Sequence, residues 1–105
     1  MHIIFAVLLI SLFNAAVFRN AVWETGLKLW EDVVRKSPLK ERGYNDLGLA
    51  YYYQGQLDEA IKQYTIALKI NPTYVRIYNN LGFAYFDKGQ FDDAISAYMA
   101  ALKIK

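Results

Sequence analysis

Asp58-Glu59 and Asp92-Asp93 are the side chains best placed by charge to do chemistry, because adjacent carboxylates can hold a divalent cation or trade protons with a substrate. Each pair stands at the same point, just ahead of an apolar helical stripe. That position makes them solvated acids at the positive end of a helix dipole. His2 is the sole histidine, so there is no helical histidine pair, no Ser-His arrangement and no zinc set. No glycine loop of the phosphate-cradling type occurs, and the absence of cysteine excludes disulfides and thiolate metal sites. The run Tyr51-Tyr52-Tyr53 could stack on nucleobases, yet Tyr51 falls on an apolar face and one or two remaining aromatics make no platform. Twelve Lys and Arg against ten Asp and Glu are interspersed and leave a net charge of only +2. No catalytic residue, cofactor, metal or nucleic-acid partner is expected, and the chain is not read as an enzyme.

What these residues belong to is set by the rest of the sequence. The chain has 105 residues, room for one small domain, and is 55% hydrophobic and 16% aromatic with nine tyrosines. It is too apolar to stay disordered. Compared with itself at an offset of 34 residues, the segment from Glu41 to Asn71 matches that from Val75 to Lys105 at 17 of 31 positions.

In the first copy Tyr44, Leu47, Gly48 and Tyr51 recur at i, i+3, i+4 and i+7, and Tyr78, Leu81, Gly82 and Tyr85 do so in the second. That spacing predicts one buried face of a helix, helix A. Gly55-Gln56 and Gly89-Gln90 interrupt it, and Asp58 or Asp92 then favours the amino end of helix B. The buried stripe of helix B is Ala60, Ile61, Tyr64, Ala67 and Leu68, then Ala94, Ile95, Tyr98, Ala101 and Leu102. Asn71-Pro72 ends the first helix B, because proline offers no amide donor and drives the residue before it out of the α region. A mid-helix glycine costs about 1 kcal/mol relative to alanine. Close approach of helix A to the small faces at Ala60 and Ala67 would offset that cost, with Tyr44, Tyr51 and Tyr64 filling the flanks.

Along residues 41 to 105 this pattern resembles the tetratricopeptide repeat family. Tyr44, Leu47, Gly48, Tyr51, Ala60, Tyr64, Ala67 and Pro72 fill the signature positions of one repeat. Tyr78, Leu81, Gly82, Tyr85, Ala94, Tyr98 and Ala101 fill those of a second. A preceding half-repeat shows in Trp30, Val33 and Pro38, with Gly26 in place of the first alanine. The resemblance implies an all-α fold of helix-turn-helix repeats stacked as a right-handed α-solenoid, whose concave groove binds a protein or peptide. Carried over by position, the groove residues are Arg42, Asn45, Leu49, Tyr52 and Tyr53, then Arg76, Asn79, Phe83, Phe86 and Asp87. Some members grip a C-terminal carboxylate with an asparagine where this chain has Leu49 and Phe83. Neither can do so, which implies a groove for an apolar or amphipathic segment.

Ahead of the repeats, Ile3 to Phe18 is apolar apart from Ser11 and Asn14. Its sixteen residues would span roughly 24 Å as a helix, short of a hydrocarbon core of about 30 Å unless the flanking residues through Trp23 join it. Trp23 suits an interfacial anchor, and Arg19 can reach the headgroups. A single-pass membrane helix is the leading expectation, with membrane association through residues 3–18. A cleaved signal peptide and a buried first helix of a degenerate repeat stay open beside it. The cations from Arg19 to Arg42 all follow the apolar run, which favours repeats on the cytoplasmic side. The order of apolar helix, Arg19-Asn20, Trp23, Leu29-Trp30 and Pro38 is also similar to the C-terminal end of polytopic glycosyltransferases of the protein O-mannosyltransferase type. That likeness implies the alternative that the chain is a C-terminal repeat tail fragment of such an enzyme, without its catalytic loops and with the repeats on the opposite side. The expected division is 1–23 as hydrophobic membrane helix or signal anchor, 24–38 as half-repeat helix, and 39–105 as two repeats, 41–74 and 75–105. Two repeats and a half are fewer than the three or so usually needed. The terminal face around Ile95, Tyr98 and Leu102 therefore predicts self-association, a truncated chain or further repeats.

Overall fold

Five helices joined by four short turns make up residues 25–104, which are the residues the computed structural model describes. They are α1 (residues 25–36), α2 (Glu41–Tyr53), α3 (Leu57–Ile70), α4 (Val75–Asp87) and α5 (Phe91–Ile104), and no strand occurs among the described residues. The expected membrane helix over residues 3–18 lies outside them. Among the described residues no helix is long and apolar enough to cross a membrane.

Each helix packs on its neighbours in the chain, α2 on α3, α3 on α4 and α4 on α5. The half-repeat joins the stack through α1, since a Cβ on Gly43 would lie 3.1 Å and 3.3 Å from the side chains of Val34 and Val33. Ala60, Tyr64, Ala67, Ile77, Leu81, Ala84 and Ala97 form one continuous buried cluster. Tyr44, Leu49, Tyr51, Ile61 and Leu68 pack against its edge.

The Gly-Gln interruptions close helix A in the same way twice. Gly55 and Gly89 adopt φ of 80° and 84°, a left-handed conformation that costs glycine nothing. The Gly55 N–H donates to the Tyr52 carbonyl at 2.9 Å and the Gln56 N–H to the Tyr51 carbonyl at 3.0 Å. Gly89 and Gln90 repeat both bonds onto Phe86 and Tyr85 at 3.0 and 2.9 Å. This pair of bonds is the Schellman closure, and it turns the chain sharply enough to lay helix B against helix A.

The glycines of helix A explain the close contact, by a different neighbour from the one sequence suggests. A Cβ on Gly48 would come within 2.5 Å of Tyr64 Cε1, and one on Gly82 within 2.4 Å of Tyr98 Cε1. The helix B aromatic itself lies on the glycine; Ala60 and Ala67 only let its helix come near. A second device repeats with it: the Tyr44 hydroxyl donates to the Pro38 carbonyl and the Tyr78 hydroxyl to the Pro72 carbonyl, each at 2.9 Å. Each helix A is thereby tied to the turn before it.

Candidate binding groove

The ten positions expected along the groove do not share one environment. Arg42, Tyr53, Arg76, Asn79, Phe83, Phe86 and Asp87 are exposed, whereas Leu49 and Tyr52 are half-buried and Asn45 is buried. Helix spacing accounts for Phe83 and Phe86 lying along one side of α4, and the turn at Gly89 brings Phe91 against Phe86 with ring centroids 5.3 Å apart at 66°. Phe83 meets the Tyr98 ring edge-on at 5.9 Å, and Tyr52 meets Tyr53 at 5.4 Å. Between α2 and α4 these rings border a cleft of about 130 Å³ lined by Leu49, Tyr52, Tyr53, Tyr64, Asn80 and Phe83.

Asn45 is withdrawn from this cleft, because its Oδ1 accepts a hydrogen bond from Asn80 Nδ2 at 2.9 Å. Tyr52 likewise donates its hydroxyl to the Asp87 carboxylate. Both contacts join α2 to α4 at a separation of 35 residues, one more than the repeat length. They therefore link one repeat to the next and leave no trace in a comparison of like positions. The hydrogen bond to Asp87, with burial second, pushes the Tyr52 phenol up to about 12. Sequence reasoning placed Tyr64 only in the core and missed it, Asn80 and Phe91 as residues of the site; nothing in the sequence signalled Asn80, and the turn at Gly89 was the signal for Phe91.

Removing Asn80 should show what the buried pair contributes. In Asn80→Ala the Asn45 amide stays buried and loses its partner, at a cost of about 1–3 kcal/mol. Asn79→Ala, at an exposed site, should stay within about 0.5 kcal/mol of wild type. Comparing the two urea midpoints checks this, and equal midpoints would refute the role given to Asn80.

Charge in the groove is sparse. No cation lines the cleft, and Asp87 places a carboxylate at its edge. Arg42 and Arg76 both act on Asp46, whose carboxyl is nevertheless raised because burial outweighs their attraction. Across the outer side, Lys88 and Asp58 form an ion pair that ties the second repeat to the start of α3. Gln56 is the N-cap of α3, its carbonyl accepting the Ala60 N–H at 3.0 Å, so Asp58 sits inside the first turn. No group of His, Asp and Glu among the described residues is placed to hold a metal ion.

Comparisons with known proteins agree with this architecture. A family model described as TPR repeat matches residues 48–89, and one described as Tetratricopeptide repeat matches residues 75–105. Among solved structures, the crystal structure of MamA is similar at 28% identity and a TM-score of 0.76, covering 86% of this chain and 53% of that one. MamA from Desulfovibrio magneticus RS-1 is similar at 26% identity and a TM-score of 0.77, over 86% of this chain and 51% of that one. The chain thus spans about half the length of the solved structures it matches. No curated protein sequence matches it.

Proposed function

We propose a recognition role for this chain, which belongs to the tetratricopeptide repeat family over residues 48–105: its groove takes an apolar or amphipathic segment of a partner protein. The family and the helical-repeat fold make it a protein-interaction scaffold. One observation supports the finer reading. The cleft between α2 and α4 is walled by Leu49, Tyr52, Tyr53 and Phe83, flanked by exposed Phe86 and Phe91, and has no cation to meet a carboxylate. Rings of this kind offer large contact area at low entropic cost, and their burial dominates interface energies. A basic residue beside the apolar anchor would gain from Asp87.

The apolar run of residues 3–18 supports tethering of this scaffold to a membrane, with the groove held close to the surface. Extended through Trp23 the run is long enough for a spanning helix, and Trp23 and Arg19 suit an end that lies at the headgroups.

The test is a peptide panel titrated against the full chain held in lipid nanodiscs. Segments with an aromatic or aliphatic anchor should bind, those carrying a neighbouring Lys or Arg more tightly. Phe83→Ala should weaken them at least about fivefold, as loss of a central anchor does, with helicity unchanged. Binding confined to acidic C-termini, or indifferent to Phe83, would overturn the reading.

A further inference from the structure

The two B helices carry the same outer pattern but meet different surroundings. On α3, Ile61 and Leu68 are half-buried where α4 lies across them. At the matching positions of α5, Ile95 is 58% exposed and Leu102 70%, and Met99 between them is 61% exposed. Beside this stripe lie a hollow bordered by Ser96, Met99, Ala100, Leu102 and Lys103, and a cleft of about 240 Å³ between α4 and α5 lined by Val75, Asn79, Tyr98, Ala101 and Leu102. The molecule itself shows what such a face accepts. Only four residues, 71–74, join α3 to α4, so the helix that covers α3 runs antiparallel to it.

We infer that this face pairs two copies of the chain, α5 against α5 in antiparallel orientation about a two-fold axis. Charge selects that occupant and that direction. Asp92 and Asp93 stand in the first turn of α5 and Lys103 in the last. On a helical net Asp92, Met99 and Lys103 share one line along the exposed stripe, with the two charges about 16 Å apart. An antiparallel second α5 brings each Lys103 to the other copy's Asp92, once at either end. A parallel partner would oppose Asp92 to Asp92 and Lys103 to Lys103.

On the same net Ile95 and Leu102 lie together on one flank of that line, so the two-fold sets Ile95 of one copy beside Leu102 of the other, with Met99 near the axis. It also aligns the two helix dipoles favourably. Because both copies offer the same patch, the contact closes at two and builds no filament. A single fourteen-residue helix per copy buries little, at the low end of the interface range. The dimer is therefore weak and dependent on concentration. It involves neither Phe83 nor the cleft of the groove, so it stands or falls apart from the recognition role.

The test is sedimentation equilibrium of the full chain in density-matched neutral detergent, over a wide concentration range at low salt. Wild type should pass from monomer to dimer, and Met99→Glu should weaken that step about tenfold or more, since it places a charge in the apolar seam. Lys103→Asp and Asp92→Lys should each weaken it about two- to fivefold, and the two together should restore it. Circular dichroism verifies that these exposed substitutions leave the helices intact. Phe83→Ala should dimerise as wild type does. A wild-type chain that stays monomeric, a dimer indifferent to Met99→Glu, or a charge swap that fails to restore pairing would each overturn the inference.

Discussion

Tyr64→Ala is expected to lower the stability of the repeats by about 3–5 kcal/mol, as loss of a large buried ring does. Tyr64 is wholly buried, and its ring lies on Gly48 from one side and in the cluster of Ala60, Ala67, Ile77 and Leu81 from the other. The collapse that could relieve the cavity is limited, because Gly48 on α2 and Ile77 and Leu81 on α4 belong to helices already packed on α3. The partner substitution behaves differently. Gly48→Ala gains about 1 kcal/mol of helix propensity but forces its methyl to 2.5 Å from Cε1 of a wholly buried ring. Overpacking of that kind costs about 1–3 kcal/mol, so the net result is a loss.

Gly82→Ala meets an equally close ring at 2.4 Å, yet Tyr98 is only half-buried and can swing outward past Phe83. Its loss should be smaller, and it can approach zero. Combining Gly48→Ala with Tyr64→Ala should cost no more than Tyr64→Ala alone, since the added methyl then occupies part of the cavity. Urea unfolding of the four variants, followed by far-UV circular dichroism, measures this cycle. Additive losses at Gly48 and Tyr64, or equal losses at Gly48 and Gly82, would show that ring-on-glycine packing is not what holds the hairpin.

That cycle marks how far the repeat comparison could see. Tyr44, Leu47, Gly48 and Tyr51 define a helical face by spacing alone, and Gly55-Gln56 marks a turn by composition, so helices A and B were legible. The seat of Tyr64 was legible only as an aromatic on the right helix. Which atoms it touches depends on how the hairpin closes, and the left-handed Gly55 decides that closure. Contacts between repeats were not legible at all. Asn45 is read from the family pattern as a groove residue, but its position relative to Asn80 depends on the angle between α2 and α4, and that angle turns it inward. Tyr52 and Asp87 were both placed in the groove by position, and nothing in their types showed that one would donate to the other. The exposed face on α5 was legible because Ile95 and Leu102 repeat Ile61 and Leu68 in a place where no further helix among the described residues lies against them.

A steep alkaline transition follows from the same buried rings. Burial raises the phenol of Tyr64 above its ordinary range, and burial first, then Glu31, raises that of Tyr51. Tyr52 is pushed up to about 12 by its bond to Asp87, and Tyr98 is raised by burial and then by the same carboxylate. In the unfolded chain each of these groups titrates near an ordinary value of about 10. Below that pH both states hold their protons and stability is unaffected. Above it the unfolded chain releases protons that the folded chain keeps, so stability falls as pH rises, for Tyr52 until about 12. A wholly buried tyrosine removes up to about 1.4 kcal/mol per pH unit in that window, and half-exposed ones less because water screens them. The chain should therefore keep constant stability through neutral and mildly basic solution and then unfold cooperatively as the pH climbs beyond about 10. Tyr64→Phe should flatten that slope most, because its ring is the one wholly enclosed, and Asp87→Asn should let Tyr52 ionise nearer the ordinary value. Tyrosinate absorbance read against circular dichroism over the same titration separates cause from consequence. If phenol ionisation ran ahead of unfolding, or if Tyr64→Phe left the slope unchanged, the buried tyrosines would not be what limits this fold at high pH.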